Sequence, residues 1–326
     1  MTEAAALHDD VSDAPPGGRA FWLATSDGLR LRAAVWDGGG RGTVVVFPGR
    51  TEFIEKYGRV VGRLRDRGFS VAVIDWRGQG LSQRREIHPH LGHVEDFRHY
   101  QRDVEALLAH PLVAGLPGPR HMLAHSMGAC IGLRTLLERS DFAAAILSAP
   151  MWHLQMKTAV RELTSRVTQL AGAFGLGHRL TPGTSDRPTP LAVGFELNAL
   201  TSDPDQFAWC LAQISGHPEL ALAGPNMHWT RAAIEEMSRL YIAPLPRLPV
   251  LTFLGSDEQV VSSKVVRAQM AKMPQGRLVE LPGARHEIFM ERPEILARVW
   301  EEIDAFLGLA PPLEAEGTAL GGAGAS

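Results

Sequence analysis

The chain has 326 residues, 45% hydrophobic and 21% charged, with a formal net charge of -3. That length suits one large α/β unit carrying an insertion. So mild a charge leaves no basic footprint for nucleic acid, which is not expected as a partner, and no polybasic membrane anchor.

Residues 1–18, "MTEAAALHDDVSDAPPGG", are acidic and small, with no basic start or sustained apolar core. They read as a flexible arm rather than a signal peptide. No run of 18 apolar residues occurs, so no transmembrane helix is predicted and a cytoplasmic protein is expected. Next, "AFWLATSDGLRLRAAVWDG" gives two alternating runs joined at Ser26-Asp27-Gly28, the pattern of a β-hairpin. From there short apolar runs without alternation precede helical stretches: "GTVVVFPG" and "FIEKYGRVVGRLRDRG", then "FSVAVIDWRG" and "VEDFRHYQRDVEALLAH". "RHMLAHS" runs straight into "MGACIGLRTLLER", and "FAAAILSAP" follows.

Residues 151–245 read differently. Met156, Val160, Leu163, Val167, Leu170 and Phe174 are spaced 4, 3, 4, 3 and 4, one stripe along a helix. The stripe is expected to pack against neighbouring helices or to line an apolar groove. Further helical pattern lies in "DPDQFAWCLAQI" and "TRAAIEEMSRL". The strand-helix alternation then resumes with "LPVLTFLGS", "KVVRAQMAKM", "GRLVELPG" and "RPEILARVWEEIDAFL". The predicted fold is α/β: a mainly parallel sheet flanked by helices, residues 19–150 and 246–308, with 151–245 a helical cap inserted between two strands. The tail 309–326 lacks large apolar groups and is expected to be flexible.

Ligand sites in such sheets lie beyond the carboxyl ends of the strands. Ser126 of "LAHSMGACIG" falls there, where a strand ends and a helix begins, in the context of a nucleophile elbow. A serine hydroxyl needs a base to accept its proton and a carboxylate to orient that base, and in this fold they follow in the order Ser, acid, His. Of thirteen histidines, His286 alone lies beyond "LPVLTFLGS", so it is the candidate base. The acid is expected in "GSDEQVVSS", as Glu258 or its neighbour Asp257; the acid-loop spacing G-x-x-[D/E]-x-V-V favours Glu258. Backbone N–H groups of Met127 and of Arg50, in the loop after "VVVF", are the candidate oxyanion donors. Asp75 and Arg77 of "DWRGQGLS" are read as holding a loop by hydrogen bonds, and His125 as structural. His88, His90 and His93 lack the further ligands of a tetrahedral site, so no metal is expected. Cys130 and Cys210 share no close-spaced motif and read as buried small apolar residues.

With these pieces placed, the chain resembles the α/β-hydrolase superfamily, and within it the lysophospholipase and monoacylglycerol lipase-like group with its serine aminopeptidase relatives. The resemblance spans most of residues 20–308 and rests on "FPGRTEFIEKYG", "DWRGQGLSQR", "GHVEDFRHYQRDV", "LAHSMGACIGL", "GSDEQVV" and "LPGARHEIFMERP". Pro48, where relatives often have histidine, and Ala124, where they have glycine, depart from it without removing a catalytic group. The resemblance implies a cofactor-free serine hydrolase that cleaves a lysophospholipid or monoacylglycerol through an acyl-enzyme. Its small-molecule or lipid substrate would permit transient contact with a membrane surface. Two other readings are an aminopeptidase or thioesterase, for which Glu196 or Glu219 could hold a free amine, and a non-catalytic binding protein on the same fold.

Overall fold

Eight strands form one sheet in the computed structural model, which describes residues 3–84, 88–188 and 193–309. They are β1 (Arg19–Ala24), β2 (Arg30–Trp36), β3 (Thr43–Phe47), β4 (Ser70–Ile74), β5 (Arg120–His125), β6 (Ala144–Ser148), β7 (Val250–Gly255) and β8 (Gly276–Leu281). Their order is β1-β2-β4-β3-β5-β6-β7-β8, with β2 antiparallel to both neighbours and every other pair parallel. Every residue of β3, β4, β6 and β7 is buried, as the unalternating apolar runs require of strands covered on both faces. Within β3, Val45 and Phe47 join the core on one face while Val44 and Val46 join the other, because successive side chains alternate.

The helices are α1 (Asp9–Ser12), α2 (Gly58–Asp66), α3 (His99–Ala109), α4 (Pro111–Ala114), α5 (Met127–Glu138), α6 (Thr158–Ala173), α7 (Pro204–Gly216), α8 (Met227–Ile242), α9 (Ser263–Met270) and α10 (Pro293–Phe306). Val60, Val61 and Leu64 of α2 and Val299 and Ile303 of α10 cover one face; α3, α5, α8 and α9 pack into the core on the other. The ends of α7 and α8 are defined by their sequence. Asp203 accepts from the N–H groups of Asp205 and Gln206 ahead of Pro204, and Asn226 accepts from the Trp229 N–H. No helix among the described residues is long and apolar enough to cross a membrane.

Two expectations meet a different outcome. The N-terminal arm lies on the core from Glu3 onward: the Trp22 N–H donates to Glu3 O at 2.9 Å, the Ala5 N–H to Ala20 O at 3.0 Å, and the Trp36 indole to Pro15 O at 3.0 Å. Hydrogen bonds hold it, a contribution that counting large apolar residues overlooks. Beyond Leu309 the tail lies outside the described residues. The second outcome concerns α6, whose apolar stripe points outward. Val160, Leu163, Val167, Leu170 and Phe174 are exposed, Phe174 to 76%, while Thr168 and Ala171 are buried. Small residues on the inner face let α6 approach α8 closely, so packing uses the side of the helix without the stripe.

One buried charge cluster ties the hairpin to the loops above the sheet. Arg32 on β2 donates through Nε to Asp75 Oδ2 at 2.7 Å and through both terminal nitrogens to Glu55, each at 2.7 Å. Asp75 also accepts from the N–H groups of Ile54 and Leu81, so it fixes the loops after β3 and β4 together. Arg77 pairs with Asp103 and Asp27. Because Arg32, Glu55 and Asp75 have fully buried side chains, Arg32→Met is expected to cost about 3–5 kcal/mol by stranding two carboxylates. A shifted urea midpoint at unchanged slope would register it.

Candidate active site

β5 ends at His125 and α5 begins at Met127, leaving Ser126 alone at the turn with φ 49° and ψ -112°. A side-chain-bearing residue rarely adopts such a backbone, and surrounding bonds must hold it there. The Ser126 N–H donates to Ser148 O at 2.9 Å, and Ser126 O accepts from the N–H groups of Ala129, Cys130 and Met151. Close approach to β3 requires glycine at 128, where a Cβ would stand 2.0 Å from Phe47 O. Ala124 is fully buried, and its methyl group would be in ordinary contact, at 3.6 Å, with a Cβ at position 132, where Met122 Sδ at 2.6 Å is what favours glycine.

The turn faces the predicted base. His286 Nε2 lies 2.9 Å from Ser126 Oγ, and His286 Nδ1 lies 2.7 Å from Glu258 Oε2. The other Glu258 oxygen accepts from the N–H groups of Val260 at 2.5 Å and Val261 at 3.0 Å. Burial pushes the Glu258 carboxyl up, but His286 and these two amides outweigh it and hold the group below its usual value. Asp257 is exposed and accepts instead from the Ser256 hydroxyl at 2.8 Å. The histidine loop is itself pinned from the segment between β6 and β7: the His286 N–H donates to Ala199 O at 3.3 Å and the Glu287 N–H to Leu200 O at 2.7 Å.

Met127 opens α5, where the first N–H groups have no helical acceptor. In the loop after β3, the Gly49 N–H donates to Glu52 and the Thr51 N–H to Gln79 Oε1 at 3.1 Å. Among the described residues the Arg50 N–H between them has no acceptor. The Arg50 guanidinium turns away to Ala223 O and the Trp229 ring. Burial lowers its pKa to about 10.

Sequence reasoning missed a second layer beneath the serine. Glu52, Lys56, His125 and Glu287 form a buried cluster, with Lys56 Nζ 2.7 Å from Glu52 and 2.9 Å from Glu287. His125 Nε2 is 3.4 Å from Glu287, and its ring lies 4.8 Å from that of His286. Burial opposes a charge on His125, yet the Glu287 and Glu52 carboxylates raise its pKa above the ordinary value. The available signal was Glu52 and Lys56, four apart in "EFIEKYG".

Of the other residues singled out, His88 stacks on His178 and His93 hydrogen-bonds Asn226, so they do not converge. Cys130 and Cys210 are free, buried thiols. Glu196 is exposed, and Glu219 faces His217 and His8 on the outside. Ser126 and His286 are only 7% and 4% exposed under the segment between β6 and β7. A narrow cleft runs from Glu287 past Thr51, Phe53, Leu200, Ile214 and Leu222. Its walls are mainly apolar, with the Lys56 and Glu287 side chains at one end.

Residues 39–293 match the family model described as serine aminopeptidase, S33. The lysophospholipase L2 of Escherichia coli K12 is 30% identical over 260 residues, covering 76% of this chain and 75% of that protein. The probable lysophospholipase L2 of Haemophilus influenzae is 27% identical over 271 residues, 82% of this chain and 84% of its own length. In structure the chain is similar to a soluble variant of the monoglyceride lipase of Saccharomyces cerevisiae, with TM-score 0.68 at 22% identity over 87% of this chain and 93% of that one.

Proposed function

This chain belongs to the serine aminopeptidase S33 family of α/β-hydrolases, and on that premise we propose that Ser126, His286 and Glu258 hydrolyse its substrate through an acyl-enzyme. It is a carboxylic ester hydrolase of the lysophospholipase and monoglyceride lipase kind. The observation that carries the mechanism is the unbroken line of hydrogen bonds from Ser126 Oγ through both nitrogens of His286 to Glu258. His286 takes the hydroxyl proton as Oγ attacks the ester carbonyl, and Glu258 stabilises the imidazolium that forms. The carbonyl oxygen becomes an anion facing the Met127 and Arg50 N–H groups. When the tetrahedral intermediate collapses, His286 protonates the departing alcohol. The same imidazole then activates water to release the fatty acid.

Residues 151–245 serve as the cap in this reading, over a core of 19–150 and 246–308. The cap supports a lipid substrate in two ways. Beneath it lies the apolar cleft, and outside it α6 presents an exposed apolar row with the exposed Lys157 and Arg166 on the same helix end and flank. That combination suits an anionic lipid surface. Leu163→Glu together with Phe174→Glu is expected to weaken binding to anionic vesicles roughly ten-fold or more. Turnover of a short soluble ester should stay within a factor of two, and equal vesicle binding by parent and variant would refute the contact.

The substrate class is tested by comparing kcat/KM on lysophospholipids, monoacylglycerols, p-nitrophenyl esters, acyl thioesters and aminoacyl amides. Long-chain lysophospholipids or monoacylglycerols should lead. Preference for aminoacyl amides or thioesters would overturn the assignment. Glu196 is exposed and Glu219 is engaged with His217 and His8, which speaks against either as an amine-holding carboxylate.

A further inference from the structure

A second cluster of chemistry-bearing side chains lies apart from Ser126, where the N-terminal arm meets the end of α7. His8 and Asp10 come from the arm; His217 and Glu219 come from the segment that follows the helix. The two imidazoles stack with ring centres 3.7 Å apart and planes inclined by 23°. His217 Nε2 is 3.0 Å from Asp10 Oδ2, and His217 Nδ1 is 3.2 Å from Glu219 Oε1. His8 Nε2 is buried and lies 3.4 Å from Glu219 Oε1, yet it makes no hydrogen bond.

One ligand atom from each of His8, Asp10 and His217 lies within 4.8 Å of the other two. A tetrahedral cation bonded at about 2.0–2.2 Å would hold its ligands roughly 3.3–3.6 Å apart. Turning the two rings out of their stack, by rotation about the side-chain bonds of His8 and His217, would bring both lone pairs onto one ion. The other such group, Glu52, His125 and Glu287, offers no comparable vacancy for charge, because the Lys56 ammonium already sits between its carboxylates. Two imidazoles with one carboxylate match the preferences of zinc and its neighbours. Magnesium and calcium call for oxygen ligands throughout.

The surroundings hold both halves ready. The His8 N–H donates to Glu55 Oε1 at 3.1 Å, anchoring the arm to the buried Arg32 cluster, and Gln213 Nε2 on α7 donates to Val11 O at 2.9 Å.

We propose that His8, Asp10 and His217 bind a zinc-class divalent cation that clamps the N-terminal arm to α7, with water completing its coordination. The site is independent of the ester chemistry at Ser126.

The test uses the full chain with any affinity tag removed and metal stripped by chelator, titrated with zinc by calorimetry and, separately, with magnesium. One equivalent of zinc should bind and raise Tm, with no response to magnesium. His217→Ala and His8→Gln should each weaken binding roughly ten-fold or more and abolish the rise in Tm. Their metal-free Tm should match that of the parent, which separates loss of a ligand from loss of fold. Absence of stoichiometric zinc binding, or binding unchanged in both variants, would overturn the proposal.

Discussion

Ser126→Ala is expected to lower kcat/KM for a short p-nitrophenyl ester by about 10⁴- to 10⁶-fold and to eliminate labelling by a fluorophosphonate. The size follows from what the substitution removes. In the proposed mechanism alanine leaves His286 with no proton to accept and no covalent route, while the proposed oxyanion donors, the Met127 and Arg50 amides, are untouched. KM should therefore change far less than kcat. The fold should survive, because the strained turn is held by the backbone N–H and carbonyl of residue 126 rather than by its hydroxyl. Retained labelling in the variant, or an unlabelled parent, would remove Ser126 from the mechanism.

The second large effect separates two adjacent carboxylates. Glu258→Gln should lower kcat by about 10³- to 10⁴-fold, since an amide facing Nδ1 can neither stabilise the imidazolium nor enforce the tautomer that leaves Nε2 free to accept. Asp257→Asn should leave activity within about two-fold, as expected of an exposed surface position. Glu258 also carries a stability term. Its pKa is lowered in the folded chain, so its contribution is present above the unfolded carboxyl value and is lost as pH falls through the lowered one. Glu258→Gln should accordingly flatten the acid limb of the stability profile measured by chemical denaturation. A greater loss of activity in Asp257→Asn than in Glu258→Gln would reverse the assignment.

Much of the architecture was legible because its signals are local. Short apolar runs without alternation marked the buried strands, and the strand-to-helix junction at Ser126 was readable from "RHMLAHSMG". Chain order then singled out His286, which the fold carries to 2.9 Å from Ser126 Oγ across 160 residues. What failed to show was whatever depends on comparing two surfaces. The row from Val160 to Phe174 has the spacing of a buried face, but Thr168 and Ala171 on the adjoining face fit α8 better, and periodicity does not reveal which face a partner takes. The arm before β1 was invisible for a related reason. Its attachment uses main-chain groups, and every sequence possesses those. Lys56 and Glu287 are 231 positions apart, so their buried pairing follows only once the sheet is assembled.

The bonds from residues 199–202 to the histidine loop bear on how this enzyme can be re-engineered. Besides the Ala199 and Leu200 carbonyls, the Ser202 N–H donates to the Glu291 carboxylate, which in turn receives the Arg285 N–H at 2.7 Å. A chimaera that exchanged the whole of 151–245 for a foreign sequence would strip these supports from the base while trying to change only substrate choice. Splice points that leave 198–203 with the recipient scaffold keep His286 seated, and the transplantable unit is then two separate pieces rather than one.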